Sequence, residues 1–494
     1  MRKIFLLVLM LAVVVGTQYK IALDRIDVVV TQERLAGNPV DRYAAVGTAQ
    51  GTVIVAHGFA ASKELMQHWG YALARQGFDT YIFDQPGHGE QTTPLPAWRK
   101  LGENPLGANV RAMVAELIRT GRAQSGKVAL IGHSMGGTAV VAAGIDDPAV
   151  AATVGISASY SESLPADRPV NLLSLVAERD PASIRAAAMN LAPQSETRKT
   201  VNVARKNHLT ILYDQEVLGQ ASAWIHQALG TKQSGPVGPV APWNWILAGL
   251  AGGLGAVLTV AGLLMPRQVR SGGRQHSVGF MTGLVVLSVA ALSAVLAAVY
   301  LRTPWVGVAV MDYLLPYFVV AAVVLWVLRQ LWPRDFGFPL TQGADTLSSA
   351  VLRGFGIALA YLGAVVPVVH MNLTHHMPVE PRIVPLLLSA LVLWAYFVQE
   401  EGLKRSVASQ WGSFAGMLLG LATKLVIVGT WLGATALPNP PTFLTLTIPV
   451  TVTVLVVLEV LAAILGRMNY SAASIATLSS VVLAWAMATT FPLM

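Results

Sequence analysis

The chain contains no cysteine. That excludes disulfides, zinc–thiolate centres and a cysteine nucleophile, and it leaves the compartment open. Charge is scarce as well: 12% of the 494 residues are Asp, Glu, Lys or Arg, about half the share of an ordinary soluble protein. The deficit is uneven. Residues up to about 240 mix charges with short apolar runs, whereas from Trp243 onward long apolar segments succeed one another. The net charge of +8 is therefore not read as a nucleic-acid patch. Much of the basic excess falls in short loops between apolar segments, where it reports topology. The apolar half shows no internal repeat and no transport motif. A chain of this length accommodates two or three domains.

Residues 1–20, "MRKIFLLVLMLAVVVGTQYK", combine a basic start with an apolar stretch. They read as a signal peptide or an uncleaved signal anchor, and no clear Ala-x-Ala site comes after them. Either reading sends the next part of the chain out of the cytoplasm. Residues 24–230 alternate strand and helix signals. "IDVVV" and "RYAAVG" look like an opening pair of strands, and "GTVIVAHG" is a β-branched run suited to a strand buried on both faces. "KELMQHWGYALARQG" has helical spacing and a glycine stop, "FDTYIFD" is the next strand, and "GANVRAMVAELIRTG" is a helix. "KVALIG", "AATVGIS", "VNLLSLVAE" and "KTVNVAR" supply further strands, and "TILYDQEVLGQASAWIHQALG" a last amphipathic helix. This alternation predicts a mostly parallel sheet with helices on both faces.

Residues 231–243 form a Gly/Pro linker, and residues 244–494 hold about eight segments long enough to span a bilayer. Those segments run over roughly 244–265, 277–301, 306–328, 352–370, 383–399, 412–436, 442–466 and 472–493. The loops after odd segments carry or border on Arg267, Arg270, Arg274, Arg329, Arg334, Arg353, Lys404, Arg405 and Arg467; the opposite loops carry only Arg302 and Arg382. This bias puts the odd loops in the cytoplasm and residues 24–230 outside. Asp312, Lys424 and Glu459 lie well inside these segments, and Asp312 and Lys424 fall at similar depth. They read as a structural ion pair, with a substrate or proton path as the sharper alternative.

The chemistry concentrates at "KVALIGHSMGGTAVV". A strand, a sharp turn and a helix start place Ser134 at the apex, and Gly132 and Gly136 let the backbone crowd together there. The order of "HGFAAS", "FDQPGHGEQ" and "GHSMGG", each after a strand, resembles the α/β-hydrolase family, specifically its serine esterase, lipase and acylglycerol-lipase-like members. The resemblance covers about residues 26–230. It implies Ser134 as nucleophile, with an oxyanion hole from the backbone N–H groups of Met135 and Phe59. It implies His208, after the last strand in "ARKNHLTI", as the base, and Asp180, in "NLLSLVAERDPASI", as the acid, with Glu178 as runner-up. The chain order Ser, Asp, His matches the family. Asp84 and His88 read as turn residues. Only "ASYSESLPADRP" separates two strands between which many relatives insert a helical cap, so no cap is expected and another surface must cover an acyl chain.

The expected whole is an α/β-hydrolase domain followed by an all-α polytopic transmembrane bundle in a cell membrane. It would cleave carboxylic, lipid-derived esters through an acyl-enzyme. Two alternatives stay open: an acyltransferase using the same three residues, and a transporter or receptor whose hydrolase-like domain only binds ligand. The expected partners are the lipid bilayer and a small-molecule or lipid ester, and nucleic acid is not among them. No cofactor and no metal is expected. The loop "HMNLTHHMPVEPR", with His370, His375, His376 and Glu380, matches no strong ligand spacing and reads as a polar loop near the enzyme's mouth.

Overall fold

The computed structural model describes residues 1–96, 104–160, 164–165, 167–191, 197–235, 237–238, 241–266, 278–300, 306–332, 339–341, 345–434 and 443–494. Of the basic loop residues that bear on topology, Arg267, Arg270, Arg274, Arg302 and Arg334 lie outside the described residues. Contacts divide the chain into two compact units. One comprises Gly16–Ala248, Val368–Met377 and Pro492–Met494, and the other Met1–Val15, Gly249–Pro367 and Pro378–Phe491.

The first of these units is built on an eight-stranded sheet of order β1-β2-β4-β3-β5-β6-β7-β8. Its strands are β1 (Val30–Leu35), β2 (Asn38–Tyr43), β3 (Gly51–Ala56), β4 (Phe78–Phe83), β5 (Val128–His133), β6 (Val150–Ile156), β7 (Leu172–Ala177) and β8 (Arg198–Val203). β2 pairs antiparallel with β1 and β4, and the other pairs are parallel. The strand period of two sends successive residues to opposite faces. Val53 and Val55 pack with Met66, Trp69 and Leu73 of helix α2 (Lys63–Arg75) and with Leu218 and Ile225 of α6 (Gln215–Leu229). Ile54 packs instead with Val110, Met113 and Leu117 of α3 (Pro105–Arg119) and with Val140 and Ala143 of α4 (Met135–Asp146). Both faces are covered, which is why the central strands are continuous apolar runs. This is an α/β-hydrolase fold.

Two local expectations change. The opening strands lie four residues later and four residues earlier than expected at their starts, at Val30 and Asn38, because they close a tight hairpin. Its turn residues Ala36 and Gly37 have φ of 47° and 80°, the double positive φ that matches strand twist. An edge strand tolerates exposed polar residues, so Thr31, Gln32 and Arg34 carry no apolar signal. The last helix is also split. A 3-10 turn, Thr210–Tyr213, precedes α6, and the Asp214 side chain caps α6 by accepting from the Glu216 and Val217 N–H groups. Between β6 and β7 no helix occurs among the described residues.

The other unit is all-helical. Among the described residues of the chain, eight helices are long and apolar enough to cross a membrane: Arg2–Leu23, Trp243–Leu263, Phe280–Ala298, Met311–Leu331, Leu347–Asn372, Glu380–Ser409, Ser413–Ala434 and Ala472–Thr490. Helix Phe443–Arg467 covers the remaining expected segment. The fifth expected segment ends at 399, but its helix runs on to Trp411 and takes in Lys404 and Arg405, two residues expected in a loop. Tertiary partners explain the extension: Lys404 Nζ contacts Glu401 and lies 2.7 Å from Glu459 Oε1. Lys424 pairs with Glu400 and, at 3.3 Å, with Glu459, rather than with Asp312, which accepts the Val306 N–H at 2.7 Å. Arg382 is likewise in a helix and fully buried, donating to the carbonyls of Ala488 and Phe491 at 2.6 Å each. Close packing relies on small residues: a Cβ on Gly354 would stand 2.2 Å from the Ser474 carbonyl oxygen.

Candidate active site

Ser134 sits between β5 and α4 with φ 55° and ψ −118°. A non-glycine residue holds such a conformation only when its surroundings enforce it, and two glycines make the enforcement sterically possible. A Cβ on Gly132 would come within 2.2 Å of the Gly136 carbonyl oxygen, and one on Gly136 within 2.4 Å of those of Ala56 and His57. Any larger residue at either position forces the backbone apart. The crowding lifts Ser134 to a half-buried position at the end of the sheet.

His208 follows β8 and reaches back to this turn. The Ser134 hydroxyl donates to His208 Nε2 at 2.9 Å, and His208 Nδ1–H donates to Asp180 Oδ1 at 2.6 Å. The second oxygen, Oδ2, accepts from Ser157 Oγ at 2.6 Å and from the Ala177 N–H at 2.9 Å. Burial pushes the Asp180 carboxyl up, but the hydrogen bonds from His208 and Ser157 outweigh it and hold the group below its ordinary value. Glu178 is turned elsewhere: its Oε2 accepts the Arg205 N–H. The structure thus joins Ser134, His208 and Asp180 and leaves the runner-up acid out.

Met135 is the first residue of α4, where main-chain N–H groups lack intrahelical partners. Phe59 lies in the loop between β3 and α2. The neighbouring Gly58 brings that loop against Ser134, for a Cβ there would lie 3.2 Å from Ser134 Cβ. Buried histidines brace the loop. His57 Nδ1–H donates to the Gly58 carbonyl at 2.8 Å while Nε2 accepts the Gln85 N–H at 3.0 Å. His88 Nε2 accepts the Ala60 N–H at 3.3 Å. Asp84 is fully buried and accepts from the N–H groups of Lys63 and Glu90 at 2.8 and 2.9 Å, so it is a turn residue. Its carboxyl is pushed up to about 7, first by burial and then by the Glu64 charge.

Two contributors are not apparent from the sequence. Ser157 orients the free oxygen of Asp180, and its only signal is a hydroxyl residue at the end of the strand beside Asp180's own. His133 Nε2–H donates to the His208 carbonyl at 2.8 Å, fixing the main chain that carries the His208 ring. Burial, then the nearby His208, pushes His133 down to about 3, so it stays a neutral donor.

Residues 47–218 match the family described as "Serine aminopeptidase, S33", which indicates a hydrolase with a serine-hydrolase-like fold. No curated protein matches the chain. Among solved structures, TT1662 from Thermus thermophilus is 19% identical, covering 42% of this chain and 99% of its own, with a TM-score of 0.32. The structure of DcsB complexed with its substrate analogue is 17% identical, covering 41% and 99% respectively, also with a TM-score of 0.32.

Proposed function

We propose that the protein is a membrane-integral serine hydrolase that cleaves carboxylic, lipid-derived esters. Ser134 attacks the carbonyl as His208 takes its proton, and Asp180 holds the imidazole in the required tautomer and orientation. The N–H groups of Met135 and Phe59 receive the developing oxyanion. His208 then passes the proton to the leaving alcohol, and a water activated by the same ring releases the acyl group. One observation carries this reading: the His208 ring bridges the Ser134 hydroxyl and the Asp180 carboxylate at 2.9 and 2.6 Å.

The proposed topology has the hydrolase unit on the extracytoplasmic side of a cell membrane, with residues 1–20 retained as an anchor. Supporting it, the segment after the fourth expected span (residues 368–377) and residues 492–494 belong to the same compact unit as the sheet. An even number of crossings separates each from the linker. A reporter fused after Met494 and active only in the cytoplasm would refute this arrangement.

The decisive experiment is activity profiling of the purified full chain on short esters, monoacylglycerols, phospholipids and thioesters, wild type against Ser134→Ala. Fluorophosphonate labelling of Ser134 comes first, and its absence would favour a ligand-binding role. The family description favours one second reading, a peptidase, so the panel includes peptides with free N-termini. Faster turnover of those than of any ester would replace the ester assignment.

A further inference from the structure

Beside the oxyanion loop lies a second cluster that the proposed mechanism does not use. It unites α2 with the segment Val368–Met377, which belongs to the sheet's compact unit although it is encoded some 300 positions later. His375 N–H donates to Ser62 Oγ at 2.7 Å, and Gln67 Nε2 donates to the Met371 carbonyl at 2.8 Å. These bonds set two imidazoles against Glu64. His375 Nδ1 lies 3.2 Å from Glu64 Oε1, and the His370 and His375 rings stand at 83° with centroids 4.8 Å apart.

Two features separate this cluster from a satisfied core network. Glu64 Oε2 and His375 Nε2 are both buried, and neither has a hydrogen-bond partner among the described residues; the residues that carry them are only 9% and 4% exposed. Leaving such atoms unpaired is unfavourable by about 1–3 kcal/mol each. The local charge is also unbalanced. Lys63 Nζ is surrounded by Asp41, Glu64 and Glu90 at 3.5, 3.0 and 3.2 Å, with Asp84 accepting the Lys63 N–H. One ammonium faces the carboxyl groups of Asp41, Glu64 and Glu90, and a dication would offset the negative charge left over.

We infer that Glu64, His370 and His375 form a binding site for a divalent transition-metal ion of the zinc type. One donor atom from each lies within 4.8 Å of the other two, so side-chain rotations of about 1 Å bring all three to the ~2.0–2.2 Å bonds of Zn2+. Two imidazoles and one carboxylate suit zinc or its neighbours and do not suit the hard ions Mg2+ and Ca2+. Three protein ligands leave a coordination position for water. The bound ion would tie residues 368–377 to the first turn of α2, and through Ser62 to the oxyanion loop. His370 Nδ1 accepts the His376 N–H at 3.1 Å, which places its remaining proton on Nε2. Coordination needs a ring-nitrogen lone pair, so the ion would take His370 at Nδ1 in place of the His376 N–H, or at Nε2 once the ring proton has moved to Nδ1; only a neutral imidazole ligates, so binding weakens as pH falls.

The test uses the full chain in detergent or nanodiscs, stripped with a chelator and titrated with Zn2+ alone, then with Co2+ as a spectroscopic probe. One Zn2+ per chain is expected, with proton release and a nitrogen-ligand Co2+ spectrum. His370→Ala, His375→Ala and Glu64→Gln should each weaken binding about tenfold or more, the scale on which even outer-shell partners act. The fluorophosphonate labelling rate at Ser134 reports whether each variant is folded. Should the buried variants misfold, the half-exposed His370→Gln and the wild-type Co2+ spectrum still decide. A stripped wild type that takes up no Zn2+, an all-oxygen Co2+ spectrum, or unchanged affinity in folded His370 variants overturns the site.

Discussion

The sheet unit and the helical unit bury ionised groups in different ways. In the sheet unit two buried carboxyls rest on fixed main-chain donors, Asp84 on the Lys63 and Glu90 N–H groups and Asp180 on the Ala177 N–H, with the Ser157 hydroxyl and the His208 ring completing the second; among the described residues, only around Lys63 do carboxylates there share an ammonium. In the helical unit, Glu400, Glu401 and Glu459 are held by Lys404 and Lys424, and those lysines by the carboxylates. A charge fixed by the main chain keeps its position when a neighbour changes protonation, so it can serve chemistry. Charges that fix one another serve assembly, because losing one strands the rest.

The largest expected effect tests the chemical side of that contrast. Ser134→Ala and His208→Ala should each lower turnover on the order of 10^4-fold or more with the fold intact, and the double variant should add little, because such residues act as a unit. Asp180→Asn should approach the same loss. Independent, multiplying losses in kcat would break the assignment.

Next comes the assembly side. Lys424→Met strands the carboxylate of Glu400 and leaves Glu459 to Lys404 alone, and the loss of one partner from a buried pair costs about 3–5 kcal/mol. Denaturation in detergent should show that destabilisation, while the Ser134 labelling rate below the transition stays at its wild-type value. Unchanged stability with altered activity would assign these charges to a transport or proton path instead.

The third prediction concerns pH. His57 and His68 are pushed down to about 4 and His133 to about 3, in each case chiefly by burial. Their folded values lie below the ordinary 6.5, so the unfolded chain binds more protons in between. Their stabilisation is fully present above pH 6.5 and is lost as pH falls through about 4. Two groups offset a part of it: His375, raised by its hydrogen bond to Glu64 against the effect of burial, and Asp84, pushed up to about 7 by burial and the Glu64 charge, both of which hold their protons more tightly in the folded chain. The sheet unit's melting temperature should drop steeply between pH 6.5 and 4, and a flat profile would mean that these rings are hydrated. The smallest effect is Glu178→Gln, expected within about twofold of wild-type turnover, as for a surface change away from any special feature. A severe loss there would exchange the two acids.

Legibility in the sequence tracks the range of the interactions. Gly132 and Gly136 crowd together across the single turn that holds Ser134, so the elbow is readable from adjacent letters. His208 is readable only through the strand that precedes it. Ser157 is not, since its role depends on β6 and β7 being neighbours. Lys404 and Arg405 look like loop residues because lysine and arginine inside an apolar helix make sense only once Glu401 and Glu459 are known to face Lys404. His375 offers no readable spacing because its partner, Glu64, is 311 residues away.

The sheet unit also has a consequence for synthesis. Its last helix ends at Leu229, yet its packing includes Val368–Met377, and Leu493 exchanges main-chain hydrogen bonds with Gly87 and Leu95. At about 5–20 residues per second, a ribosome reaches Leu493 on the order of 10–50 s after it finishes α6. During that interval the nascent chain carries a sheet whose loop after β4 and whose α2 surface still await their covering segments. Completion of the sheet unit is thereby timed by the apolar half: until that half has been made, the first unit lacks the pieces that close it.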